Sequence, residues 1–175
     1  AGRISEKAEG PLRSDYAAYA GDIAAAGRHL LSVVRSITDQ SAAASTGQVD
    51  LAASAAGAIQ LVLPRAEERS IHLELVGIDQ PLAAHGEPRG VVQILVNLIN
   101  NAVRHSPDGG TVPVIAERRA EMVAVTVADE GPGIAEADQE RIFERYERAD
   151  STPGGSGLGL AISRRLAHSM RGDIE

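Results

Sequence analysis

GGSGLGLAI, residues 154–162, joins a glycine-rich loop to the first turn of a helix, and its reading decides the rest of the chain. Backbone N–H groups at a helix N-terminus bind phosphate, and glycines let the backbone come close to it. Gly/Ser runs also serve as flexible linkers. Here, however, Leu158, Ala161, Ile162 and Leu166 follow at helical spacing, and a linker has no reason to open directly into an amphipathic helix. The loop therefore reads as part of a site. A Walker loop needs Lys-Ser/Thr after its last glycine, where this chain has Leu160 and Ala161. A Rossmann turn follows a buried strand, whereas the preceding stretch 135–150, AEADQERIFERYERAD, is charged and helical in pattern. A different kind of nucleotide site is required.

Two further segments supply its walls. Val91, Val92, Leu95, Leu98, Ile99, Ala102 and Val103 give a helix over 88–105 a broad apolar arc, which predicts burial against a sheet. Asn97 and Asn101 then lie i, i+4 on a remaining face, with Arg104 and His105 one turn further on. Buried amides are costly unless paired. Bonds to neighbouring backbone are one outlet; the other is a ligand, Asn101 offering its oxygen to Mg²⁺ and Arg104 facing phosphates. The third wall is DEGPGI, 129–134, at the end of the alternating run Val123, Val125, Val127. An Asp before Gly-Pro-Gly is commonly a turn former. Its carboxylate also accepts hydrogen bonds only, which suits an exocyclic amino group such as that of adenine.

NLINNAVRHS at 97–106, DEGPGI at 129–134, RIFERYERAD at 141–150 and GGSGLGLAI at 154–162 resemble, in order, the N, G1, F and G2 boxes of sensor histidine kinases. With flanking sequence the resemblance covers roughly 10–175. It implies membership of the wider ATPase group that includes gyrase B, Hsp90 and MutL. It also implies the α/β fold class, a two-layer α/β sandwich of the Bergerat type, with ATP held under a mobile lid and a helical segment in front.

Carried over by position, the resemblance implies that Asp129 binds the adenine amino group, with Gly131, Gly133 and Ile134 beside the base, and that Asn101 ligates Mg²⁺. Asn97 and Arg104 would be catalytic, Arg104 as a phosphate contact, and His105 would lie near the nucleoside. Phe143 and Tyr146 would anchor the lid and Arg148 reach the terminal phosphate. Gly155, Ser156, Gly157, Leu158 and Gly159 would wrap the phosphates. Tyr146 replaces a more usual Phe, and Glu147 a more usual Tyr. In gyrase-like members a glutamate at the position of Asn97 activates water, and an amide cannot act as a general base. ATP is therefore expected to be held for transfer to another nucleophile.

Tyr16, Tyr19, Ile23, Ala26, Leu30, Val33 and Ile37 alternate steps of three and four, as a short coiled-coil seam or an ordinary amphipathic helix does. With the resemblance, 1–48 reads as the remnant of a dimerisation and phosphotransfer hairpin with its linker, and 49–175 as the catalytic ATP-binding domain. None of His29, His72, His85, His105 and His168 has the context of a phospho-acceptor box, so the acceptor histidine is expected upstream of Ala1. The implied partners are a response-regulator receiver domain and, through the hairpin, a second copy in a homodimer.

Composition is compatible with this. The 175 residues are 43% hydrophobic with one Phe, three Tyr and no Trp, so the core must be aliphatic. A net charge of −7 argues against a nucleic-acid surface. No cysteine is present, which excludes disulfides and thiolate metal sites. No apolar stretch reaches transmembrane length and no signal peptide is visible, so this piece reads as soluble; the resemblance implies a cytoplasmic part without membrane contact, with an anchor elsewhere in a longer protein left open. The spacing predicts helices at 15–38, 52–68, 88–105 and 157–170, a linker at 39–48, and strands at 71–77, 82–85, 111–117 and 122–128. A lid helix is expected near 137–147, and the family's sheet continues with a strand beyond the position of Glu175. The sequence reads as the ATP-binding part of a histidine kinase. A nucleotide-binding regulatory module and an anti-sigma-type serine kinase are the rivals, the latter disfavoured by the helical seam.

Overall fold

The computed structural model describes residues 47–77, 81–144 and 157–175. These lie in Ser45–Glu175, the second of two units into which the chain divides. The helix expected at 15–38 and most of the linker at 39–48 fall outside the described residues. In order, the elements are β1 (Gly47–Asp50), α1 (Leu51–Glu68), β2 (His72–Val76), β3 (Ala83–Gly86), α2 (Pro88–His105), β4 (Thr111–Arg119) and β5 (Met122–Val127). Two 3₁₀ turns, Glu136–Asp138 and Arg141–Phe143, precede α3 (Gly159–Ser169).

Helices cover one face of a mixed sheet. β2 and β4 pair in parallel, β4 and β5 antiparallel, in the order β2-β4-β5. Alternation puts Val112, Val114 and Ala116 of β4 on one face, all fully buried. Val112 and Val114 share a core with Ala55, Ala58, Ile59, Val62 and Ala66 of α1 and Val91, Leu95, Ile99, Ala102 and Val103 of α2. The small buried residues of α1 let the neighbouring layer come close, which suits a core with almost no aromatic rings.

Asp50 fixes the entry to this layer. Its Oδ1 accepts the N–H of Ala52 at 3.0 Å, capping α1, and that of Leu82 at 3.1 Å, drawing in the approach to β3. Pro88 stands in the first turn of α2, where its missing N–H costs nothing. α3 runs antiparallel to the first half of α2. Gly159 at its start faces Asn97, while Met170 just beyond its end lies against Gly86 and Gly90.

Three expectations need correction. Gly47 and Gln48, assigned to the linker, are strand, because they pair antiparallel with Gly86 and His85 of β3. The lid helix expected near 137–147 is two 3₁₀ turns as far as residue 144, the remainder lying outside the described residues. Over 136–144 the only apolar side chains are Ala137, Ile142 and Phe143, too few to make an apolar face of helical length in the described part. α3 begins at Gly159 rather than 157, since Gly157 has a left-handed φ of 66° that an α-helix cannot take. Among the described residues no helix is long and apolar enough to cross a membrane.

Candidate functional site

The first contact of the site is between α2 and α3. Asn97 Nδ2 donates to Ser163 Oγ at 3.1 Å and to the carbonyl oxygen of Gly159 at 3.4 Å. A carbonyl can only accept, so the amide is oriented with its nitrogen toward α3 and its oxygen left for other partners. Ser163 is fully buried. Asn97 therefore fastens the first turn of α3, the turn that follows the glycine loop, and Leu158 ahead of it is buried.

The second contact seats the loop after β5 on the end of α2. Ala128 N–H extends the ladder by donating to Pro113 O at 3.0 Å, which delivers Asp129 at the strand's end. Its Oδ1 accepts the N–H of Gly131 at 2.8 Å, closing a short side-chain turn. A Cβ on Gly131 would lie 3.0 Å from His105 O and 3.2 Å from His105 Cβ, so a side chain there would drive the loop off the helix. Ser106, buried at the end of α2, accepts the Glu130 N–H at 3.5 Å. Gly133 has a φ of 72° in open surroundings, and Ile134 beyond it is exposed.

Between these contacts runs one face of α2. Asn101 is half-buried one turn beyond Asn97, and its amide has no hydrogen-bond partner among the described residues. Arg104 lies against His105, its Nε 3.2 Å and Nη2 2.9 Å from the imidazole Nε2. A guanidinium only donates, so Nε2 is the acceptor in this contact.

Phe143, in the second 3₁₀ turn, lies against α3. Arg164 of α3 stands 4.4 Å from the centre of its ring, and the same guanidinium pairs with Glu140 at 3.2 Å and Asp173 at 3.3 Å. These pairings hold the Arg164 guanidinium above its ordinary range, the Glu140 hydrogen bond most of all. Asp173 is held below the usual carboxylate range, first by the N–H of Ile174, then by His168, whose Nε2 is 2.8 Å away, and by Arg164.

Asn97, Asn101, Arg104, His105, Asp129, Gly131, Phe143 and Gly159 are thus carried by elements in contact around α2. Gly157 and Leu158 lead into α3. Tyr146, Arg148, Gly155 and Ser156 lie outside the described residues. Sequence reasoning passed over Ser163, Arg164 and Ser106. A signal for Ser163 existed, since a hydroxyl four residues after Gly159, on the face that carries Ala167, needs a partner once buried.

The profile of a family described as histidine kinase-, DNA gyrase B-, and HSP90-like ATPase matches residues 86–175. The non-motile and phage-resistance protein of Caulobacter vibrioides is 34% identical over 182 aligned residues, covering 95% of this chain and 21% of that protein. Histidine protein kinase DivJ of the same organism is 31% identical over 174, covering 94% of this chain and 29% of its own length. Among solved structures, full-length ShkA in complex with AMPPNP is 34% identical with a TM-score of 0.67, covering 83% of this chain and 32% of that one. The chain spans no more than about a third of the length of the first curated relatives it matches.

Proposed function

The chain belongs to the histidine kinase-, DNA gyrase B- and HSP90-like ATPases, and from that premise we propose that it is the ATP-binding catalytic part of a two-component sensor histidine kinase. The γ-phosphate of bound ATP passes to a histidine on a helical hairpin, for relay to a response-regulator aspartate. The observation that carries this reading is the meeting of two elements on one helix. The loop of the strand-end carboxylate Asp129 and the start of α3 both rest on α2, which itself carries the amide row Asn97 and Asn101.

Each residue has a task that its chemistry supports. Asp129 uses one carboxylate oxygen to brace Gly131 and offers the other to the adenine amino group, which a group that only accepts can recognise. Gly131 keeps the base close to the end of α2. Arg104 and the backbone at the start of α3 face the phosphates.

The fit of Asn101 to Mg²⁺ rests on its half-buried amide with no protein partner among the described residues. No group of three or more His, Asp or Glu able to hold a metal occurs there, so the ion's other ligands are phosphate and water, as is usual for Mg²⁺. When bound, Mg²⁺ supplies charge neutralisation on the β- and γ-phosphates.

Asn97 gives its N–H to α3 and has no basic atom with which to deprotonate water. That arrangement supports slow hydrolysis and transfer to a positioned nucleophile. The AMPPNP bound in the related ShkA structure is an ATP analogue, which agrees with a nucleotide at this site. Pairing of two copies through the N-terminal hairpin completes the proposal.

Calorimetric titration with MgATP tests it. Binding is expected for the wild-type chain and its loss in Asp129→Ala, where the adenine amino group forfeits its acceptor at a cost of about 1–3 kcal/mol. Unchanged affinity in that variant would overturn the assignment.

A further inference from the structure

The Arg69 guanidinium donates four hydrogen bonds at one place, the C-terminal end of α2 and the residues just beyond it. Nη1 donates to the carbonyl oxygens of Val103 and Arg104, the latter at 2.9 Å. Nη2 donates to Ser106 O at 2.9 Å and Nε to Asp108 Oδ1 at 2.8 Å, and the ion pair brings Nη2 within 2.7 Å of the same Oδ1. The backbone joins in, for the carbonyl of Arg69 accepts the N–H of Gly109 at 3.1 Å. The last carbonyls of a helix have no partner within it, and a cation there also meets the negative end of the helix dipole. One residue at the end of α1 therefore closes the last turn of α2 and holds the loop leading to β4.

That turn is the floor of the candidate site. It carries Arg104 and His105, and the Asp129–Gly131 loop rests on His105 and Ser106. Glu130 also reaches back, its Oε2 lying 3.0 Å from where a Cβ on Gly110 would stand. We propose that Arg69 is a positioning residue for the nucleotide. By fastening the end of α2 it sets where Arg104, His105 and the Asp129 carboxylate stand relative to Asn97 and Asn101. The inference rests on the nucleotide-binding reading above.

The shape of the guanidinium matters more than its charge. A lysine has three N–H groups on a single atom and cannot span three carbonyls and a carboxylate. The Arg69–Asp108 pair is itself largely solvated, Asp108 being 76% exposed, so that contact contributes little and the carbonyl bonds carry the role.

Calorimetry with MgADP on the wild-type chain, Arg69→Gln, Arg69→Lys, Asp108→Asn and Val49→Ala, each with its urea unfolding curve, tests this. Val49 is a core residue of β1, in the ribbon at the opposite ends of α1 and α2, and its truncation supplies a loss of stability remote from the turn. Arg69→Gln is expected to weaken binding about tenfold or more through misplacement of the contact groups. Arg69→Lys, which keeps the charge but cannot span the carbonyls, should not recover the affinity, while Asp108→Asn and Val49→Ala should bind within about twofold of wild type. Wild-type affinity in both Arg69 variants, or an equal loss in Val49→Ala, would overturn the inference. A wild-type chain that binds no nucleotide overturns the underlying reading instead, and with it this one.

Discussion

Adding one methyl group at Gly131 should damage nucleotide binding, and the structure says by what route. A Cβ there would stand 2.6 Å from Asp129 Oδ1, 3.0 Å from His105 O and 3.2 Å from His105 Cβ. The last two belong to the final residue of α2, so the carboxylate is the group that must move. Moving it breaks the 2.8 Å hydrogen bond from the Gly131 N–H. It also displaces the oxygens that are to meet the adenine amino group. The lost bond is to a charged but exposed acceptor, so its net worth is about 1–2 kcal/mol. A shift of that size in binding is roughly 5–30-fold in affinity. Titration of Gly131→Ala with MgADP, alongside its urea unfolding curve, separates this local effect from general destabilisation. A variant that binds as the wild type does would refute the reasoning, because either the loop would then absorb the methyl or Asp129 would not be the acceptor.

Two further outcomes follow from the contacts of α3. Ser163→Ala removes the oxygen that accepts from Asn97 with the loss of a single atom, leaving only the long 3.4 Å bond to Gly159 O. It should cost about 1–3 kcal/mol in urea unfolding, and a smaller cost would mean that Asn97 finds another partner. Asp173 should titrate below an ordinary aspartate, since the Ile174 N–H, His168 and Arg164 all favour its charged form. Its contribution to stability is therefore present above the unfolded-state value and is lost as pH falls through the depressed folded one. NMR titration of its carboxyl carbon reads the midpoint directly, and an ordinary or raised midpoint would contradict the contacts drawn here.

Much of the fold was legible because its decisive signals are local. Pro88 in the first turn and the apolar arc to Val103 delimited α2 over 88–105 as observed, and the alternation of β5 placed Asp129 just beyond a strand end. What escaped depends on partners distant in sequence. Gly47 and Gln48 look like linker and become strand only because Gly86 and His85 lie alongside. The charged stretch after Ala135 has the composition of a helix but, over 136–144, too few apolar side chains to hold one, so tertiary packing decided it. Asn97, Asn101 and Arg104 could be assigned to a helix, and Asp129 to a strand end, from the sequence alone. The side chains that brace them were harder to find: Arg69 sits in a charged run, and the position of Ser163 on a buried helix face asks for a partner without saying that it is Asn97.

The chemistry itself is tested most directly with γ-labelled ATP, given to the chain alone and together with a dimeric helical hairpin that carries an acceptor histidine. Asn97 supplies no base for water, so transfer awaits a nucleophile brought into line with the γ-phosphate. Acid-labile, base-stable label on the hairpin's histidine, with slow release of phosphate by the chain alone, is the predicted result. Rapid phosphate release without the hairpin, or acid-stable label on a serine, would contradict it.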